Sequence, residues 1–211
     1  MRYLITLLFA SLSLQLYAQE AKQRLAPIPV ELMVGDDGYF FMISLNRPIS
    51  PGSKFGFFTQ LSYLIDHKKE VPNSINTEAM GTYTLDENFN LAAGTRLNSF
   101  TGFKPLLAVS YNIFNKNIGL FIQPSIEIHK DGFFEFFGFF EWHPNYGKKI
   151  NPFFRLQLLS DFDDEHIYSY HLWRVGIKYK NLAFGPAANF RYLGPEGNDK
   201  HNYGVFLRLS L

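Results

Sequence analysis

Apolar side chains recur at every second position along most of this chain, from residue 38 to the C-terminus. In the last segment, NYGVFLRLSL, the odd positions from Tyr203 to Leu211 are all apolar, whereas the even positions include Arg208 and Ser210. A period of two is that of a β-strand, whose successive side chains point to opposite faces. Helical periodicity is nearly absent. The pattern therefore predicts an all-β protein.

Short polar or glycine-containing connections divide the alternating pattern into segments of about ten to fourteen residues. An even number of strands returns both termini to one side, and a count of ten is the alternative to twelve. Connections after odd-numbered strands include the most polar ones, such as 66–76 and 194–202, which predicts that the longer loops share one end. Pro124 and Pro186 each remove a ladder donor, so we expect β-bulges there. The predicted strands are 29–35, 38–47, 54–66, 76–85, 88–99, 104–114, 117–129, 132–143, 150–160, 166–180, 182–193 and 202–211.

Alternation by itself fits two environments. In a water-soluble barrel or sandwich the apolar face would point inward, and in a membrane barrel it would point outward to lipid. The uninterrupted series of similar strands, the apolar last residue and the aromatic residues near strand ends favour the membrane, with Tyr39, Phe55 and Trp142 as examples. We therefore predict a closed antiparallel up-and-down transmembrane β-barrel.

The first eighteen residues have the composition of a secretory signal peptide. Arg2 is followed by an apolar run and by Ala18, after which the chain becomes polar. This predicts a signal peptide at 1–18 and one barrel domain at 19–211. With Arg2 left out of the 20 basic residues, the remainder balances the 19 acidic residues, so nothing indicates a nucleic-acid partner. The chain has no cysteine, which excludes disulfides.

These features together resemble the small outer-membrane β-barrel proteins of Bacteroidota. The resemblance rests on the signal peptide, the tandem hairpins and the last strand, YGVFLRLSL, which is similar to the motif that such proteins present to the barrel-assembly machinery. A twelve-stranded barrel with interior aromatics also resembles, more weakly, the nucleoside-specific outer-membrane channels. The resemblance implies the cell outer membrane as the location. The implied partners are outer-membrane lipid and the assembly machinery.

The segment GFFEFFGFFEW, residues 132–142, is aromatic on both faces of a predicted strand. Glu135 and Glu141 are six positions apart and therefore share a face. Ionised carboxylates are unfavourable in lipid, so this face is predicted to point into the barrel. The same inner face carries the phenylalanines Phe133, Phe137 and Phe139.

The same rule assigns charged residues of the neighbouring strands to the interior. The acidic ones, on strands seven and eight, are Glu127, Glu135 and Glu141. The basic ones, on strands nine to twelve, are Arg155, Arg174, Lys178, Arg191 and Arg208. We expect two arcs of opposite charge to face each other across the lumen, as in the constriction of a passive pore for small solutes. The alternative is a structural barrel in which these groups pair and fill the interior.

Two other classes of function are weaker alternatives. A surface-binding barrel would use the polar loops 67–75 and 193–202. Membrane phospholipases and lipid A deacylases rest on a histidine and a serine two positions apart, and none of the six histidines here has that spacing. We therefore expect no enzyme. His129 with Glu127 and Glu135 is interpreted as a solvated cluster, so the sequence predicts neither a metal nor a cofactor.

Overall fold

The computed structural model describes residues 27–67, 73–99, 102–129, 132–196 and 198–211. The predicted signal peptide, 1–18, lies outside these residues. Within them no helix has the length and apolar character needed to cross a membrane. The described residues form twelve strands: β1 (Pro29–Gly35), β2 (Gly38–Pro48), β3 (Phe55–Asp66), β4 (Ser74–Thr84), β5 (Phe89–Asn98), β6 (Gly102–Phe114), β7 (Ile118–Glu127), β8 (Phe134–Trp142), β9 (Ile150–Phe162), β10 (His166–Tyr179), β11 (Leu182–Leu193) and β12 (Asn198–Ser210).

The sheet closes on itself. Each strand pairs antiparallel with the next along the chain, and β1 also pairs with β12. Val30 on β1 lies opposite Ile43 of β2 on one side and opposite Leu209 of β12 on the other. Closure leaves no strand edge with unpaired backbone groups, which a lipid environment requires. The predicted closed up-and-down barrel of twelve strands is confirmed, and the ten-strand alternative is wrong.

The two faces of the sheet differ as a membrane barrel requires. On β12, Val205 faces outward with 61% of its surface exposed, whereas Phe206 and Arg208 face inward and are buried. The aromatic residues Tyr39, Phe55 and Trp142 are exposed at strand ends, where the interfacial girdles of membrane barrels lie. The water-soluble alternative required the apolar residues inside and is wrong on this point.

Pro124 and Pro186 do not produce the predicted bulges. Pro124 lies opposite Phe136, and Pro186 lies opposite Val205, in uninterrupted ladders. Each proline's strand also pairs with a second neighbouring strand, and that pairing is interrupted for two residues at the proline. The register is the same before and after the interruption. The missing donors therefore interrupt one ladder without shifting it. The structure shows its one register shift among the described strands between His166 and Tyr168.

Loop length does not distinguish the two ends as predicted. We call the end at which β1 begins and β12 ends the terminal end, and the opposite end the distal end. The loop predicted at 194–202 is shorter in the structure because β12 begins at Asn198. The loop predicted at 66–76 is shorter because β4 begins at Ser74. The connections 49–54 and 143–149 at the terminal end are as long as the distal ones. Strands β4 and β12 extend beyond their apolar stretch, so residues that the sequence assigned to loops belong to strands.

Candidate functional site in the barrel interior

The interior of the barrel contains the charged residues that the alternation rule assigned to it. Glu127, Glu135, Arg155, Arg174 and Arg208 are buried at inward positions of their strands. Glu141, Lys178 and Arg191 are half-buried, also at inward positions. The inward phenylalanine Phe137 is buried, whereas Phe133 and Phe139 are half-buried. Two arginines lie over these rings: Arg155 Cζ is 3.9 Å from the Phe139 centroid, and Arg96 Cζ is 5.6 Å from that of Phe133.

One cluster of ion pairs lies in the terminal half. We call it the terminal ion-pair layer, and its members are Glu31, Glu141, Arg155, Arg174 and Arg208. Glu31 accepts from Arg174 Nε at 2.7 Å and from Arg208 Nη1 at 3.2 Å. Glu141 accepts from Arg155 Nη1 at 3.1 Å and lies 3.2 Å from Arg208 Nη2. Arg208 therefore joins the two carboxylates into one network in which three guanidinium groups face two carboxylates.

A second cluster lies in the distal half. We call it the distal ion-pair layer, and its members are Glu78, Arg96, Glu127, Glu135 and Asp161. Arg96 donates to Glu78 from Nε at 3.1 Å and from Nη2 at 2.8 Å, and Nη2 also pairs with Glu135. Glu127 lies 3.7 Å from Arg96 Nη1. Here Arg96 pairs with three carboxylates, and Asp161 lies opposite Glu135 on the neighbouring strand. Lys104 of β6 lies opposite Arg96, also at an inward position.

An aromatic layer separates the two clusters. Its centre is Phe121, whose ring lies 5.3 Å from Phe58, 5.9 Å from Phe137 and 5.7 Å from Phe139, centroid to centroid. Strand β8 shows the order of the layers, since its inward residues are Glu135, Phe137, Phe139 and Glu141 from the distal to the terminal end. Gln157 crosses this layer, accepting from Arg155 at 2.8 Å and donating to the Tyr170 hydroxyl at 3.0 Å.

The predicted arrangement of charge around the circumference is wrong. Opposite charges are mixed around the barrel, because Arg96 of β5 reaches the carboxylates of β4 and β8, and Glu31 of β1 binds arginines of β10 and β12. The two clusters differ along the barrel axis, since carboxylates outnumber guanidinium groups in the distal layer and the reverse holds in the terminal layer. Lys104 and Arg191 are further inward cations near the distal end. The sequence interpretation missed five buried charged residues of the interior, which the same alternation rule would have found: Glu31, Asp66, Glu78, Arg96 and Asp161.

A cavity of about 600 Å³ opens into the terminal end of the barrel. We call it the vestibule. Phe58, Phe121 and Phe139 line it, together with Glu141 and Arg208 of the terminal layer. His143, in the connection after β8, also lines it. Burial and the nearby Lys178 ammonium lower the pKa of the His143 imidazole, so this ring is neutral at neutral pH and the charge of the vestibule does not depend on it.

A histidine and a serine meet on the outer face of the barrel near its distal end. His166 Nε2 lies 2.7 Å from Ser169 Oγ, and its Nδ1 lies 2.8 Å from the Gly194 carbonyl oxygen. The carbonyl can only accept, so Nδ1 donates to it. Ser169 Oγ also donates to Ser160 Oγ at 2.9 Å. His166 and Ser169 do not have a spacing of two, because a register shift after His166 brings it beside a serine three positions along the chain. Among the described residues no group of three histidines or acids is arranged to hold a metal ion.

The fold is that of a twelve-stranded outer-membrane porin barrel. The solved structure of the NanC porin superposes with a TM-score of 0.51 at 12% identity, covering 88% of this chain and 100% of that one. The KdgM porin gives a TM-score of 0.46 at 16% identity, covering 87% and 98%. LpxR from Salmonella typhimurium gives 0.48 at 6% identity, covering 88% and 100%. No protein-family model and no curated protein sequence matches the chain.

Proposed function

We propose that the protein is a barrel of the bacterial outer membrane that acts as a narrow passive pore for small solutes. The signal peptide would direct the chain across the inner membrane, and the last strand would engage the barrel-assembly machinery. The terminal end would then face the periplasm, as in barrels of this kind. The proposal includes no catalytic step.

The charged interior is the observation that carries this proposal. Replacing a buried ion pair by well-packed apolar residues is often neutral or stabilising, so a barrel that served only as a scaffold would not need two ion-pair layers. Charged side chains lining a lumen are instead the elements from which pores build selectivity. The vestibule brings solvent from the terminal end to the first of these layers.

A structural barrel is the second candidate. In this structure Phe137 is 2% exposed and Arg174 is 1% exposed, so no water-sized passage runs beside either side chain. A conducting path beside either side chain therefore requires that side chain to move, whereas a structural barrel requires no movement. The two candidates differ in one measurable property, which is conductance.

Planar-bilayer recording on the refolded protein tests the pore. We expect unitary conductance steps from the wild type, and larger steps from Phe137→Ala, because this substitution widens the aromatic layer. Phe134→Ala on the outward face of the same strand is the control and should conduct as the wild type does. Heat-dependent mobility in gel electrophoresis shows whether each variant has folded. Folded wild type and folded Phe137→Ala that both lack conductance steps would reject the pore in favour of the structural barrel.

The surface-binding alternative loses part of its predicted surface. Residues 198–202 of the predicted loop 193–202 belong to β12, and Asn202 is buried. Of the other predicted loop, 67–75, residues 68–72 lie outside the described part of the chain, and Ser74 and Ile75 begin β4. Nothing in the described part of these loops favours a binding barrel over a pore.

The hydrolase alternative now rests on His166 and Ser169. Their geometry is that of a base and a nucleophile, but Ser169 is 7% exposed, and the histidine is held by a carbonyl rather than by a carboxylate. An active-site-directed fluorophosphonate should therefore leave the folded protein unlabelled. Labelling that disappears in Ser169→Ala and in His166→Ala would establish the hydrolase instead.

A further inference from the structure

We propose that Glu135 and Asp161 hold one proton between them at neutral pH, so that the distal ion-pair layer contains a pH-sensitive carboxyl pair. A conducting barrel and a structural barrel would hold this proton alike, so failure of the proposed pore leaves the pair standing. Release of the proton at higher pH would leave two ionised carboxylates side by side and loosen the distal half of the interior.

The two carboxyl groups meet because of strand register. Glu135 of β8 lies opposite Asp161 of β9, and both side chains point into the barrel. The carboxyl groups are within hydrogen-bonding distance of each other. Glu135 is 1% exposed and Asp161 is 8% exposed, so water has little access to this contact. The contact therefore has to be stabilised from within the barrel.

A hydrogen bond between two carboxyl groups requires a proton. An ionised carboxylate can only accept, whereas a protonated carboxyl has one O–H donor. Two adjacent carboxylates in a poorly solvated site repel each other, and such pairs retain one proton. Among the described residues, no donor reaches Glu135 Oε2 or Asp161 Oδ1. A shared proton supplies the donor that the contact lacks.

The other oxygen of Glu135 is bound to a guanidinium that serves several carboxylates. Oε1 pairs with Arg96 Nη2 and accepts from Ser125 Oγ at 3.4 Å. Arg96 also donates to Glu78, from Nε at 3.1 Å and from Nη2 at 2.8 Å. Glu127 lies 3.7 Å from Nη1 of the same guanidinium. The single charge of Arg96 is therefore divided among three carboxylates.

Further titratable groups face the distal interior from the strands around the pair. Lys104 interacts with Glu127, and Arg191 interacts with Tyr168, which lies opposite Asp161. These groups change the electrostatic potential at the pair, but a nearby cation does not take the place of a hydrogen atom between two oxygens. The inward groups on β6, β7, β10, β11 and β12 are Lys104, Glu127, Tyr168, Arg191 and Lys200.

Infrared spectroscopy of the protein refolded into vesicles tests for the proton itself, because a protonated carboxyl absorbs at a higher frequency than a carboxylate. We expect a carboxyl band from the wild type at neutral pH that is lost in Glu135→Gln and in Asp161→Asn. Glu141→Gln is the matched control and should keep the band, since Glu141 is an interior carboxylate paired with Arg155 and Arg208. Absence of the band from folded wild type, or its persistence in either folded pair variant, would overturn the proposal.

The pH dependence of urea unfolding is a second test. The unfolded chain exposes both carboxyl groups to water, where they are ionised at neutral pH, so the folded protein holds one proton more. Stability of the wild type relative to Glu135→Gln, which has a fixed amide donor at this position, should therefore fall as the pH rises, until the pair releases its proton. Asp161→Asn should behave as Glu135→Gln does.

Glu196→Gln, at an exposed position, is the control for this second test. Its unfolding midpoint should differ from that of the wild type by the same amount at every pH. A difference between wild type and the pair variants that is also constant with pH would refute the shared proton. Conductance is not needed for either test, so the pair and the pore can fail separately.

Discussion

Single charged residues connect strands that are far apart in the sequence. Glu31 of β1 binds Arg174 of β10 and Arg208 of β12, and it is almost fully buried. Removing one partner of a buried ion pair is costly, because the remaining charge is left in a medium that solvates it poorly. Neutralising one carboxylate of the terminal ion-pair layer should therefore lower the free energy of unfolding.

Glu31→Gln tests this expectation. We expect a loss of roughly 3–5 kcal/mol in the free energy of unfolding, since Arg174 loses its carboxylate and no water replaces it. Urea unfolding of the protein refolded into vesicles measures the loss. Glu196→Gln, at an exposed position in the connection after β11, should change stability by no more than about 0.5 kcal/mol. A loss below about 1 kcal/mol for Glu31→Gln would show that the layer is solvated.

At the distal end, the side chain of Asn202 leaves room only for a glycine at position 35. A Cβ atom at residue 35 would lie 1.9 Å from Asn202 Oδ1, while the Asn202 side chain accepts from Asp37 N at 3.0 Å and donates to Gly38 O at 3.1 Å. The asparagine thus fixes the turn between β1 and β2. It cannot move aside without breaking these bonds.

Gly35→Ala should lower the free energy of unfolding by about 1–3 kcal/mol, because the added methyl group displaces Asn202. Gly81→Ala is the matched control, since a Cβ there meets its nearest atom, the Ala93 carbonyl oxygen, at 3.8 Å. The same vesicle unfolding measures both variants. Equal stability of the two would mean that Asn202 does not hold the turn.

At the residue scale, the sequence predicts which side chains point inward but not which of them meet. Alternation places Glu135 and Glu141 inside from their spacing alone. The contact between Glu31 and Arg174 spans 143 positions and exists only because β1 closes on β12. The difference between the two ion-pair layers likewise depends on the relative depth of different strands, which is set by register and not by period.

Individual strands are longer than their apolar stretch. Strand β12 begins at Asn198, four residues before its predicted start, and its outward residues there include Asp199 and His201, which pair at 2.8 Å. Hydrogen bonding continues into the aqueous layer, where outward residues no longer need to be apolar. Hydropathy therefore marks the part of a strand inside the membrane. This explains why strand number was predictable while loop lengths were not.

Introducing an arginine at an exposed strand position tests how deep in the membrane that position lies. Val205→Arg, near the middle of β12, should lower the free energy of unfolding by roughly 2–4 kcal/mol, because an arginine there must enter hydrocarbon. Leu193→Arg, at the end of β11, should cost about 0–1 kcal/mol. Equal, small effects at the two positions would place water, not lipid, against the middle of the strand.

The whole molecule depends on the outward face of the closed sheet meeting lipid. The apolar outer surface, the closed ladder and the buried charges all follow from that one arrangement. The location in a membrane followed from the sequence because the period of two persists over twelve strands and because carboxylates are costly in lipid. The narrowness of the lumen did not, since it depends on how the inward phenylalanines and arginines pack against one another.

Single-cysteine spin labelling tests this arrangement most directly, because the chain has no cysteine and each introduced thiol is unique. Labels at Val205, Phe206 and Leu207 in vesicle-inserted protein are compared for collision with oxygen, which concentrates in lipid, and with a water-soluble nickel complex. The account predicts high oxygen accessibility at 205 and 207, and low accessibility to both reagents at 206. Nickel accessibility at 205 and 207 without an oxygen signal would contradict it.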